Sequence, residues 1–223
     1  MSFDKTKTNS SLGHCVHKHL LSMGVETPLL KDSSQYELRK RTIILSMRKI
    51  LTALGLDLHD DSLCETPRRV AKMYLDEIFW GLDYNKFPKI TTIDNKMGYE
   101  NMLIERHIKV CSVCEHHLVP IMGEAFVAYI PDKKVIGLSK INRVTEFFSR
   151  RPQVQERLTE QVFHTLCFIL GTDNVAVLIK AQHTCVKLRG VEDVNSDTVT
   201  SRLGGEFLGS VALRNEFYQS IKV

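Results

Sequence analysis

The chain has 223 residues, of which 43% are apolar and 25% are charged, and its formal net charge is +4. This length and composition are typical of a globular protein with one substantial core. The charge is too small to indicate a nucleic-acid-binding protein, and no apolar run approaches the ~18 residues that span a bilayer. Six cysteines without a signal-peptide pattern indicate reduced thiols, so we expect a cytoplasmic protein without a membrane or nucleic-acid partner.

The first 36 residues carry the weakest signals. Residues 4–11 are polar, and we expect them to be disordered or loosely held. Side chains of the types that bind metals follow at His14, Cys15, His17 and His19. The apolar residues after them favour a short helix that carries these side chains as polar or half-buried groups over a metal-binding tract.

Two helices are predicted in the next part of the chain. Between residues 37 and 56 the apolar residues recur at intervals of three and four, which predicts an amphipathic helix ending at Gly55. A second helix is predicted from Thr66-Pro67 to Gly81, with Thr66 as N-cap. Its first turns carry three cations, namely Arg68, Arg69 and Lys72. Because cations oppose the dipole at a helix start, either a bound anion or a solvated basic face explains them.

A connecting segment at residues 82–101 precedes the rest of the chain. The pattern then predicts strands and helices in the order ββααββ, at residues 102–113, 123–130, 139–150, 153–170, 174–184 and 197–208. Paired strands with both helices between the pairs favour an α+β fold, in which an antiparallel sheet carries the helices on one face.

Two clusters of metal-ligand residues each follow a strand-like run. The first is Cys114-Glu115-His116-His117 and the second is His183-Thr184-Cys185. Zn²⁺ takes thiolate sulfur and imidazole nitrogen, usually with four ligands, and a catalytic zinc keeps one position for water. Cys111 adds a C-x-x-C spacing with Cys114. Residues three apart on a strand point to opposite faces, although a bulge would change that.

Polar and cationic side chains stand at further predicted element ends. Ser139, Lys140, Asn142 and Arg143 follow Gly137 at a predicted helix start, while Arg189 follows the second cluster; together they are a plausible polyphosphate cradle. The next helix begins near Gln153, Gln155 and Glu156. A carboxylate at this place either satisfies the helix dipole or accepts two N–H bonds from the edge of a guanine-like base.

Five segments of the sequence resemble the GTP cyclohydrolase I family in its bacterial-type form. They are residues 65–74, 114–117, 135–143, 151–159 and 183–190. The likeness extends over roughly residues 37–222 and implies the tunnelling fold, whose ββααββ order matches the predicted elements. We therefore expect a poorly assigned N-terminal segment at 1–36, a helical region at 37–101 and a tunnelling-fold catalytic domain at 102–223.

The resemblance also implies the activity and the site. It implies conversion of GTP and water to 7,8-dihydroneopterin triphosphate and formate, the first step of folate or pterin biosynthesis, in a homodecamer of two pentamers. Zinc would be held by Cys114, His117 and Cys185, with water in the fourth place. The acid and base histidines would be His116 and His183, and Glu156 with Gln155 would grip the guanine edge. The triphosphate would face Arg69, Lys72, Ser139, Lys140, Arg143 and Arg189.

Two alternatives to this activity stay open at the level of sequence. One is a non-catalytic zinc protein whose fourth ligand is Cys111. The other is an enzyme of the same fold that acts on a different purine or pterin. Cys64 and Cys167 lie among apolar residues, and we expect them to be packing thiols.

Overall fold

A mixed sheet of five strands organises the protein, whose computed structural model describes residues 5–30 and 35–222. The strand order in this sheet is β5-β2-β3-β6-β7, and β1 pairs with β4 in a separate two-stranded sheet. The strands are β1 (Thr92–Asp94), β2 (Leu103–Cys114), β3 (Pro120–Tyr129), β4 (Lys134–Ile136), β5 (Pro152–Gln153), β6 (Val175–His183) and β7 (Thr198–Leu203). The helices are α1 (Ser10–Ser22), α2 (Tyr36–Ala53), α3 (Thr66–Lys72), α4 (Leu138–Ser149), α5 (Gln155–Leu170), α6 (Thr184–Lys187), α7 (Gly205–Gly209) and α8 (Val211–Ser220).

The four long strands pair antiparallel in the order that the sequence predicts, so the expected α+β tunnelling fold is confirmed. The short strand β5 is the exception, since it pairs parallel to the end of β2 through Val113 and Cys114. A register shift between Glu105 and Ile108 interrupts the pairing of β2 with β3, and His107 within it has φ 56°. The bulge lies before Cys111, so the alternation of side chains from Cys111 to Cys114 is regular.

Helices α4 and α5 pack on one face of this sheet. Their apolar stripes bury Val144, Phe147, Leu158, Val162 and Leu166 against the strands. Gly171 ends α5 in the left-handed conformation, with φ 71°, as the sequence predicts. Both clusters of histidine and cysteine stand at strand ends, the first at the end of β2 and the second at the end of β6.

The end of the chain differs from the expected strand at 197–208. Strand β7 stops at Leu203, and two helices that the sequence analysis missed complete the fold. They place Phe207 and Phe217 in a second apolar cluster with Phe126 of β3 and Leu178 of β6. On both strands the residues of this cluster alternate with residues of the main core. These contacts explain why the apolar residues after Leu203 do not continue the strand.

The N-terminal residues described by the structure are held more firmly than the polar sequence predicts. Thr8 forms a bridge with Pro88, and the Asn9 amide donates to the Phe87 carbonyl at 2.8 Å. Asn9 also caps α1 by accepting a bond from the Leu12 amide. The expectation of a loosely held segment is therefore wrong for residues 5–11, while Asp4 lies outside the described residues.

The two helices between residues 36 and 82 match the prediction in place but not in detail. Helix α2 ends at Ala53, and Gly55 follows with φ 81°. Helix α3 begins one residue earlier than expected: Glu65, not Thr66, is the N-cap, and no side chain caps the helix start. After Lys72 the chain widens into a π-helical turn at Met73–Ile78 before a 3₁₀ turn at Trp80–Leu82.

Candidate active site

Cys114 is the last residue of β2, and a tight turn carries the two histidines away from it. Its amide donates to Val119 and its carbonyl accepts from Leu118, whose φ of 53° closes the turn. Cys114 is buried, whereas His116 and His117 are exposed. The second cluster lies on the neighbouring side of β3, where Ile121 pairs with His183 at the end of β6. Helix α6 then turns Cys185 back towards Cys114.

The turn and the end of β6 bring Cys114, His117 and Cys185 together. One ligand atom from each residue lies within 4.8 Å of the others, and the Cys114 Sγ atom is 3.9 Å from His117 Nδ1. Ligands of one tetrahedral zinc at about 2.0 to 2.3 Å would be about 3.3 to 3.8 Å apart, so a small closure fits the ion. Two thiols and an imidazole are also the donor types that zinc prefers. Among the described residues this is the one group that could hold a metal.

The protonation of Cys185 bears on this fit. Burial raises the pKa of the Cys185 thiol, and its hydrogen bond with Cys114 raises the pKa further. A zinc ligand is the thiolate, so binding of the ion must displace this proton. The pair of thiols is therefore a site at which metal binding and proton release are coupled.

His116 stands beside this group without joining it. Its Nδ1 atom is 3.9 Å from Cys114 Sγ, but the group of mutually close ligand atoms contains His117 and Cys185 instead. The His116 side chain is 63% exposed and its Nε2 atom is 4.0 Å from the Glu115 carboxylate. This position leaves the imidazole free to exchange protons.

An ion pair that the sequence analysis missed holds the turn that carries the first cluster. Arg157 of α5 donates to both carboxylate oxygens of Glu115, at 2.5 and 3.3 Å. Hydrogen bonds from Arg157 lower the pKa of Glu115 despite its partial burial. The Glu115 amide also donates to the Gln153 carbonyl of β5. Glu115 and Arg157 both lie within segments that resemble the family, but no spacing in the sequence indicates that their side chains meet.

His183 is half-buried and its ring is held by Gln155. The His183 Nε2 atom is 2.8 Å from Gln155 Oε1. Burial lowers the pKa of His183, and the nearby Glu156 carboxylate partly offsets this effect. Burial thus favours the neutral form of this imidazole over the protonated form.

The remaining predicted site residues lie on helices α3, α4 and α5 and in the loop after α6. Glu156 is exposed at the start of α5, and the Arg189 guanidinium lies 2.9 Å from His117 Nε2. Arg69 and Lys72 are exposed on α3, while Ser139, Lys140 and Arg143 lie on α4 at exposed or half-buried positions. Within residues 5–30 and 35–222, no hydrogen bond or ion pair joins those five side chains to the group of Cys114, His117 and Cys185. The structure thus brings one predicted cation, Arg189, into contact with this group.

Other candidate ligands are used differently. Cys111 lies on a neighbouring small cavity of about 200 Å³ with Lys109, Asn142 and Glu146, away from the Cys114 group. The histidines of α1 face three separate partners: His14 contacts the Ser10 carbonyl, His17 the Glu26 carboxylate and His19 the ring of Phe168. Helix α1 thus directs these histidines to different partners, as expected if they are polar or half-buried side chains of a helix and not a metal-binding tract.

Of the two thiols expected to serve in packing, Cys167 does so, whereas Cys64 lies in neither apolar core cluster of the described residues. Cys167 is buried in the core, and burial raises its pKa to about 12. Cys64 is half-buried and directs its thiol to the Asp61 carbonyl at 3.4 Å. Neither residue lies in the Cys114 group.

The topology of the sheet makes this an α+β protein of the tunnelling-fold class. The histidines His116 and His183 are of the residue type that acid–base catalysis uses most often. The sequence model of the family described as GTP cyclohydrolase I matches residues 43–222. The GTP cyclohydrolase 1 of Yersinia enterocolitica is 55% identical over 207 residues, which cover 93% of this chain and 94% of that protein. The chain belongs to the GTP cyclohydrolase I family.

Relatives from other bacteria agree with this assignment. The GTP cyclohydrolase 1 of Tolumonas auensis is 56% identical over 202 residues, covering 91% of this chain and 94% of that protein. The same enzyme of a Shewanella species is 56% identical over 207 residues, covering 93% and 96%. In the described part of the chain, no helix combines the length and apolar character needed to cross a membrane.

Proposed function

We propose that this protein is a zinc-dependent GTP cyclohydrolase I that converts GTP and water to 7,8-dihydroneopterin triphosphate and formate in the cytoplasm. The observation that carries the proposal is the convergence of Cys114, His117 and Cys185, with His116 and His183 close by but outside the group. Membership of the family supplies GTP as the substrate.

The chemistry explains why the site needs a metal and two free histidines. Opening the imidazole ring of guanine requires attack of water on C8, and bound zinc would supply a water of lowered pKa for this purpose. His116 and His183 would move protons between the water, N7 of the base and the later ribose hydroxyl groups. A histidine is suited to both directions because its pKa lies near neutrality.

Binding groups around the reacting atoms complete the proposed site. The carboxylate of Glu156 would accept N–H bonds from the guanine edge, with Gln155 beside it at the start of α5. The triphosphate would face the family set of polar and cationic side chains: Arg69, Lys72, Ser139, Lys140, Arg143 and Arg189. Binding energy from this remote part of GTP would hold C8 in place for attack.

The separation of these cations on one chain supports a site shared between subunits. Arg189 contacts His117, whereas Arg69 and Lys72 lie on α3 and form no hydrogen bond or ion pair with the proposed zinc ligands. We infer that α3 supplies them to the site of a neighbouring subunit in a decamer of two pentamers. The apolar side chains that α2 leaves exposed, such as Leu45 and Ile50, are consistent with burial in such an assembly.

A direct assay tests the proposal. Purified protein is incubated with GTP, and formate and the pterin absorbance are followed with and without a zinc chelator. We expect equal amounts of formate and pterin, loss of both after chelation and recovery on adding zinc. A protein that binds one zinc yet releases no formate would instead be the non-catalytic zinc protein. Release of formate from another purine nucleotide in preference to GTP would favour the other enzyme of this fold.

A further inference from the structure

The Gln155 side chain is buried and bonded on every side by protein. Gln155 is 1% exposed at the first turn of α5. Its Nε2 atom donates to the carbonyls of Ile179 and Thr198, each at 2.9 Å, and lies 3.2 Å from Thr200 Oγ1. Its Oε1 atom faces His183 Nε2 at 2.8 Å. The amide is thus fixed between β6, β7 and the histidine.

These partners decide which end of the amide faces His183. A backbone carbonyl can only accept a hydrogen bond, so the two carbonyls of β6 and β7 require the NH₂ group of Gln155 on their side. The oxygen must then point to His183, and an amide oxygen can only accept. His183 Nε2 is therefore the donor and carries the proton, which leaves Nδ1 without one in the neutral ring.

We propose that Gln155 is a positioning residue that holds the neutral His183 ring in its Nε2–H tautomer and so leaves Nδ1 as the hydrogen-bond-accepting atom of the ring. The Nδ1 atom can accept a hydrogen bond without any rotation of the ring, because Nε2–H stays bonded to Gln155.

This role replaces a direct contact between the Gln155 side chain and the base. Both N–H donors of the amide are already used by Ile179 and Thr198, so no donor remains for an acceptor on guanine. Thr159 reinforces the arrangement, since its hydroxyl donates to the main-chain carbonyl of Gln155 at 3.0 Å and lies 2.7 Å from Thr200 Oγ1. The kinetic consequence of the proposal rests on the proposed function, but the tautomer itself does not.

The tautomer is observable without turnover. Zinc-loaded protein with ¹⁵N in its histidine rings is studied by magic-angle-spinning NMR near pH 8, and His183 is assigned by comparison with His183→Asn. We expect a single Nε2–H tautomer for His183. An Nδ1–H ring or a mixture of both tautomers would overturn the proposal, whether or not the protein releases formate from GTP.

Two substitutions separate positioning from a structural role. Gln155→Met removes the acceptor and both donors, and we expect a mixture of tautomers and a fall in kcat of about 10- to 100-fold with KM for GTP changed less than about threefold. Gln155→Glu keeps an acceptor for His183 but loses both donors. If the amide served only to join β6 and β7, this variant would be as impaired as Gln155→Met; we expect it to keep the Nε2–H tautomer and to lose less kcat than Gln155→Met does.

Thr200→Val is the matched control, because it removes a partner of the same amide and leaves the bond to His183. We expect wild-type kcat and the wild-type tautomer in this variant. A large rise in KM with unchanged kcat in Gln155→Met would overturn the proposal in favour of direct contact with the base. If wild-type protein releases no formate while His183 is still the Nε2–H tautomer, the proposed function fails and the positioning of the ring stands.

Discussion

The adjacent residues His116 and His117 lie in different surroundings because of the tight turn that carries them. His117 faces Cys114 through Nδ1 and belongs to the group with Cys185, while His116 points to solvent beside Glu115. The bonds of Glu115 to Arg157 and of its amide to Gln153 hold the start of this turn. A change at either histidine should therefore have its own signature.

Substitution of His116 and of Cys185 should separate metal binding from proton transfer. We expect His116→Ala to keep one zinc per chain and to bind GTP, while formate release falls about 10²- to 10⁴-fold because an acid or base is lost. Cys185→Ser should lose zinc and turnover together, since a hydroxyl is a poor zinc ligand. Metal content by atomic emission and formate release measure the two effects. Loss of zinc from His116→Ala would show that the roles of the two histidines are exchanged.

Residue types and spacing predict the two clusters but not the division of labour within them. Cys114-Glu115-His116-His117 leaves either histidine as a ligand, and only the resemblance to a family favours His117. The choice depends on the turn at Leu118, a non-glycine residue at φ 53°, which no local pattern indicates. The bond between Gln155 and His183 joins residues 28 positions apart, so it too follows from packing alone.

At the scale of elements, the period of the apolar residues predicts the four long strands and the helices α2, α4 and α5. The prediction is wrong after Leu203, because an apolar run of this length fits a strand or short helices equally well. The helical structure after Leu203 is decided by the second face of the sheet, where Phe207 and Phe217 pack in a cluster with Phe126. That face is a tertiary feature, and no pattern within residues 204–221 reports it.

The packing of α1 on α5 makes stability depend on pH through His164. His164 of α5 is nearly buried, and its pKa is lowered by burial, with Arg202 and His19 acting in the same direction and Glu160 opposing them. The unfolded chain therefore binds a proton at this residue at a higher pH than the folded protein does. The contribution of His164 to the stability of the folded protein is therefore complete above about pH 6.5 and is lost as the pH falls below that value.

We expect His164→Gln to flatten this dependence. Thermal unfolding between pH 5 and 7.5 should show a midpoint that falls with acidity less steeply in the variant than in the wild type. His59→Gln is the control, because His59 is exposed in the connection between α2 and α3 and should leave the slope unchanged. Equal slopes in all three proteins would mean that another group governs the acid sensitivity.

For the molecule as a whole, the N-terminal segment outside the matched region is joined to the site region by a buried ion pair. Arg151 is 0% exposed and Glu26 is 3% exposed, and their closest atoms are 3.2 Å apart. The guanidinium also packs against the rings of Tyr84, Phe147 and Phe148 at 4.8 to 5.2 Å. Since Arg151 directly precedes β5, this pair ties α1 to the strand that contacts Glu115.

Breaking this pair should cost far more than breaking a similar pair at the surface. Glu26→Ala leaves the Arg151 charge buried and unpaired, and we expect a loss of roughly 3 to 5 kcal/mol in the free energy of unfolding. Glu146→Ala is the matched control: Glu146 is 51% exposed and 3.6 Å from Arg150, so its loss should cost less than about 1 kcal/mol. Urea unfolding of both variants at one protein concentration measures the difference.

The double variant Glu26→Gln/Arg151→Met distinguishes a true ion pair from a purely packing role of these side chains. Because it removes both charges together, it should recover much of the stability lost in Glu26→Ala. A double variant less stable than Glu26→Ala would show that Arg151 stabilises the fold mainly through its other contacts, which are the three aromatic rings and the hydrogen bonds to Gly81 and Thr27.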